Sequence, residues 1–177
     1  MKKTFLFILL IVACMTSCKT AKSPVKTYEM PCAELKSGNG VLRAWAVGTS
    51  DNEMTARKKA QVAASAELAR ILSNVVRSTV EDYTTVLSDT IGKSKSLYNE
   101  RIQTFVNKEL KGAVIVCDQW GKERENGMYK NYLVLELGGQ ETLTTLKEIL
   151  GVQSEEDKEL LSKLFMENIE KSAEAQK

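Results

Sequence analysis

The chain contains no histidine among its 177 residues. That absence excludes Ser-His and Cys-His catalysis, the histidine-bearing zinc sites and a histidine switch near neutral pH. Proline is scarce: Pro24 and Pro31 are the only two, so no proline breaks the chain beyond residue 31. Aromatic residues make up 6%, which leaves Leu, Ile, Val and Ala to build a core. Neither sign of charge dominates. Lys+Arg number 25 against 23 Asp+Glu, and the resulting +2 is too small for an electrostatic reader of nucleic acid. The residues that are present, 43% hydrophobic and 27% charged, have the balance of a globular chain of one domain.

The first segment reads as an address. Met1-Lys2-Lys3 is a basic start, and Thr4 to Ala13 is an uncharged apolar run. This run is about half of the ~20 residues a membrane-spanning helix needs, so it reads as a secretory signal. Met15-Thr16-Ser17-Cys18 then looks like a lipobox, the site at which a bacterial lipoprotein is cut and acylated on cysteine. Ile11-Val12-Ala13-Cys14 fits the same pattern but leaves an unusually short signal, so Cys18 is the expected lipidation site and Cys14 the alternative. Cleavage before Cys18 removes two lysines and leaves 23 basic against 23 acidic residues, a neutral body held on a membrane by its lipid. Lys19 after the cysteine, with no acidic cluster following, favours the periplasmic face of the outer membrane. Residues 1–17 are thus expected as signal peptide and 18–40 as a lipidated tether. Residues 41–150 are expected as a folded domain, and 151–177 as a C-terminal amphipathic helix and tail.

Within the domain, Val41 to Gly48 alternates as a strand, with Leu42, Ala44 and Ala46 on one side. Ser50-Asp51-Asn52-Glu53 has the form of a capping box with Ser50 as N-cap. After it, Ala56, Ala60, Ala64, Leu68, Ile71, Val75 and Val76 recur three or four apart, the stripe of an amphipathic helix. The small residues at its start suit close packing on a sheet. Leu97 to Leu110 gives a second helical stripe, closed by Gly112. Ala113 to Trp120 and Met128 to Leu137 read as two strands of a hairpin, turning at Asn126-Gly127. A short helix from Glu141 to Leu150 stops at Gly151. A last helix opens at Ser154, with Leu160, Leu161, Leu164, Phe165 and Ile169 on one side, before a fraying polar tail from Lys171. The expected fold class is α+β: a two-layer domain in which a small three-stranded, mostly antiparallel sheet packs against a long Ala-rich helix, with C-terminal helices.

Several of these pieces carry a resemblance: the strand ending in Gly48-Thr49-Ser50, the run Ala56-Arg57, Ala60, Ala64, Glu67-Leu68-Ala69, Ile71, the segment Leu110 to Ile115, and the tyrosine-bearing strand Tyr129–Leu137. Residues 41 to 137 resemble the twenty-kilodalton lipoprotein family (Lpp-twenty type), which is related to the N-terminal domain of the flagellar assembly protein T. The resemblance implies an outer-membrane or periplasmic lipoprotein with an α+β domain, and it implies no catalytic residues.

Two further cysteines, Cys32 and Cys117, form an even pair in an exported chain, and a disulfide between them is expected. The alternative is a buried thiol at Cys117 and a free one at Cys32. Ser23-Pro24-Val25-Lys26 has the Ser-x-x-Lys spacing of some hydrolases, but it sits in a proline-bearing tether rather than on a helix, and reads as chance. Arg57-Lys58-Lys59 reads as a solvated face before an anion site, and Trp45 and Trp120 as strand-end core or rim before ligand platforms. No enzyme activity, metal or cofactor is expected. The expected partners are the membrane, through the lipid, and an envelope protein or a second copy of this chain. The expected function is a non-catalytic envelope scaffold or protein-interaction module, with a periplasmic module for a small molecule or cell-wall fragment as the alternative.

Overall fold

The computed structural model describes residues 30–86, 95–122 and 127–176. Strand β1 (Val41–Ser50) is followed by helix α1 (Glu53–Val86) and helix α2 (Lys95–Glu109). Strands β2 (Val114–Lys122) and β3 (Tyr129–Gly138) come next, then helices α3 (Gly139–Leu150) and α4 (Glu155–Glu174). The three strands form one antiparallel sheet in the order β1-β3-β2. The fold is the expected α+β arrangement of sheet, long helix and C-terminal helices.

The helix side of the sheet is set by strand parity. Leu42, Ala44 and Ala46 on β1 pair with Leu137, Leu135 and Leu133 on β3, and all six are buried. Against them lie Ala56, Ala60, Ala64 and Leu68 of α1, each without exposed surface. Small residues on both layers bring the helix close. The closest approach is at Gly48, where a Cβ would overlap the Ala56 carbonyl oxygen and the Ala60 amide nitrogen.

Helix α1 is capped by Asn52, whose Oδ1 accepts from the Thr55 amide at 3.0 Å and from its hydroxyl at 3.2 Å. The capping box expected at Ser50 is therefore displaced by two residues. Ser50 belongs to β1, paired with Tyr129, and its hydroxyl accepts from the Asn52 amide in the turn. The cap at Ser154 is as expected: its hydroxyl accepts from the Asp157 amide at 3.0 Å. Gly151 closes α3 in the left-handed region at φ 66°, with Val152 N–H donating to the Lys147 carbonyl.

Helix α4 belongs to the domain rather than trailing from it. Leu161, Phe165 and Ile169 are fully buried and join the same core as α1. Asn168 ties the two helices with polar contacts, its Nδ2 donating to Asp82 Oδ2 at 3.0 Å and to Thr79 Oγ1 at 3.4 Å. The fraying expected from Lys171 does not begin there. The helix runs to Glu174, and Gln176 receives the Ser37 amide at 3.2 Å while donating to the Arg43 carbonyl at 3.2 Å. The domain also starts earlier than residue 41. Residues 30–40 are packed on the sheet, with Cys32, Ser37 and Gly38 buried, so this part of the expected tether is body.

Candidate functional site

The face of the sheet opposite α1 is crossed at its middle by the segment Met30–Lys36, and this strap is the organising feature of the site. Trp45 and Val134 lie opposite each other on that face, and Cys117 pairs with Val134 from the far side. The Trp45 ring packs 6.2 Å from that of Tyr132 and donates its Nε1–H to the Pro31 carbonyl at 3.0 Å. Cys32 and Cys117 sit at disulfide distance, Sγ to Sγ 2.08 Å, 85 positions apart in sequence. The two contacts bracket Val134, which is fully buried although it faces away from α1.

Cys117 reaches the strap because β2 carries a bulge. The register steps from Ile115↔Leu135 to Cys117↔Val134, leaving Val116 as the extra residue. Without the extra residue, alternation would put Cys117 on the helix side. With it, Cys117 turns to the strap and Asp118 turns to α1. There Asp118 accepts from Arg57 Nε at 2.8 Å and from Asn131 Nδ2 at 2.6 Å. Asn131 is fully buried, and its Oδ1 has no hydrogen-bond partner among the described residues. This Arg57–Asp118–Asn131 cluster lies outside the sequence reading. The one available signal was that Asp118 is an acid within a β-branched strand.

Arg57-Lys58-Lys59 is not uniformly solvated. Arg57 is committed to Asp118, and Lys59 Nζ donates to the Thr49 carbonyl at 3.1 Å, while Lys58 is exposed. Trp45 is half-buried beneath the strap, and Trp120 lies at the sheet rim. Cys14, Cys18, Ser23 and Lys26 lie outside the described residues.

Beside the strap, along β1, opens a cleft of about 410 Å³ walled by Leu35, Lys36, Arg43, Trp45, Glu67 and Arg70. Its charges are largely internal. Arg43 holds Glu136 through Nε and Nη2 at 2.6 Å and donates Nη1–H to the Lys36 carbonyl at 3.0 Å. Arg70 forks onto both oxygens of Glu67 at 2.6 and 2.8 Å, which lowers the Glu67 carboxyl below its ordinary value, mainly through the hydrogen bond. The cleft thus offers an indole, a leucine and a lysine at a salt-bridged wall.

Among the described residues, no three or more Cys, Asp or Glu converge as metal ligands, and no helix is long and apolar enough to cross a membrane. Comparison with protein-family models, with curated proteins and with solved structures finds no match to this chain.

Proposed function

We propose that this chain is a non-catalytic envelope lipoprotein, acylated on Cys18, that serves as a protein-interaction module at the periplasmic face of the outer membrane. The observation that carries this reading is the strap. The segment leading out of the tether is locked across the sheet by two cysteines at bonding distance, a link that persists in an oxidising compartment and is reduced in a cytosol. Cys18 lies only 12 positions before Met30, so the body rides within about 40 Å of the lipid even with the tether fully extended.

Fractionation tests it. Cys18→Ser is expected to move the protein from the membrane pellet to the soluble fraction and to abolish labelling by a fatty-acid probe. Retention of both, with loss of both in Cys14→Ser, moves the anchor to Cys14. Retention in both single variants ends the lipoprotein reading. A second reading, a module for a small molecule or cell-wall fragment, draws on the cleft at Trp45. It requires that muropeptide fragments change tryptophan fluorescence and that Arg70→Ala weakens the effect.

A further inference from the structure

The two edges of the sheet are finished differently. On β1, Val41 is bridged to Gly38. The Arg43 amide donates to Ser37 Oγ at 2.9 Å, and the Arg43 carbonyl accepts from Ser37 and Gln176. The Thr49 carbonyl takes the Lys59 ammonium. These contacts hold the Val41, Arg43 and Thr49 positions of β1 and shorten the run on which another strand can pair to Ala44–Gly48. No described strand pairs with the outer side of β2. An open edge of this kind is a template for a further strand.

That edge is also where large apolar side chains are exposed: Val114 by 55%, Ile115 by 41%, Val116 by 39% and Trp120 by 41%. They fall into two groups, Val114–Val116 at the start of the strand and Trp120 near its end, with Asp118 between. A strand with this distribution is complementary to its own reverse. We propose that the chain forms a two-fold dimer by antiparallel pairing of β2 with β2 of a second copy, setting Trp120 of each copy against Val116 of the other.

The axis passes near Asp118. Two facing carboxylates would oppose the pairing, but each is held by the Arg57 guanidinium at 2.8 Å and by Asn131 at 2.6 Å, so each arrives neutralised. The bulges at Val116 fall towards the ends of the shared ladder and leave the regular run Cys117–Gln119 at its centre. The net charge of +2 on the whole chain sets little repulsion between copies. Pairing of β2 with β2 about a two-fold axis is isologous, so this contact closes at two copies instead of growing into a fibre. The dimer does not depend on the lipid anchor, so it stands or falls separately from acylation at Cys18.

The test is site-specific photocrosslinking of the full-length chain in cells, with p-benzoylphenylalanine at Val116. A species of twice the chain mass is expected, with its crosslink mapping to residues 118–122 of the second copy. The same probe at Val62, exposed on α1, is expected to give monomer only. Trp120→Lys should abolish the crosslink and, in sedimentation of the purified protein, weaken association by about tenfold or more. Val114→Lys provides a second edge variant should Trp120→Lys fail to fold by circular dichroism. Monomer alone at Val116, or crosslinks only to other proteins, would overturn the proposal.

Discussion

Cys117 and Asp118 are adjacent in sequence and serve opposite faces of the sheet, one meeting Cys32 in the strap and the other Arg57 on α1. Strict alternation from Ile115 would place each on the other side, and the one-residue bulge that reverses them leaves no periodic mark in a continuous β-branched run. Gly48 was legible only as the end of a strand, yet it sets the distance between layers. Gly48→Ala is expected to cost about 3 kcal/mol, read as a lower urea midpoint, because the new Cβ meets backbone of α1 that cannot rotate away. Tyr83 gives a pH signature. Burial, aided by the negative charge of Asp157, raises its phenol above the ordinary 10.0. The folded state therefore prefers the neutral phenol, and that preference is fully present below pH 10 and lost as pH rises through the folded value. Melting temperature should fall as pH climbs beyond about 10, and Tyr83→Phe should flatten the fall. An equal fall in both proteins would remove Tyr83 as its source.

At the scale of elements, the long stripes carried most of the information. The spacing of Ala56, Ala60, Ala64 and Leu68 announces α1, and Gly112, Gly138 and Gly151 sit at or near ends of elements. The short-range features were less visible. β1 extends two residues beyond Gly48, which transfers the helix cap from Ser50 to Asn52. The segment from Met30 to Gly40 looks like a linker because Pro31, Gly38 and Gly40 are turn formers, and only tertiary contacts make it a strap. Helix α4 shows the same limit: its apolar side was plain, but whether α1 or an outside partner covered it was not. Leu161, Phe165 and Ile169 are fully buried at home. At roughly 1.5–3 kcal/mol each, their burial is comparable to the whole stability of a small domain. Deleting residues 154–177 is accordingly expected to abolish cooperative thermal unfolding. A truncated chain that melts at the original temperature would mean that α1 finds another cover.

For the whole molecule, the link between Cys32 and Cys117 joins its sequence-distant halves. Closing a loop of 85 residues contributes on the order of 4.5 kcal/mol on the chain-entropy account. Cys32→Ser should lower unfolding stability by about that amount, and reductant should shift the midpoint of the parent protein equally while leaving the variant unmoved. A parent protein indifferent to reductant would show that the thiols are not joined. This candidate pair was readable from the even count of cysteines in a chain expected to be exported. The cleft beside it was not, because its walls come from Leu35, Arg43 and Arg70, residues of three segments that only the fold brings together.

The same link has a mechanical consequence. Were the body held through the lipid proposed at Cys18, a pull on it would arrive through Met30, and in a chain without a crosslink such a load would peel the strap and β1 first. Here the load crosses from Cys32 directly to Cys117 and enters the sheet at β2. β1, α1 and α2 lie within the covalent ring, out of the line of tension. The segment nearest the pull is thus shielded from it, and unravelling must begin elsewhere.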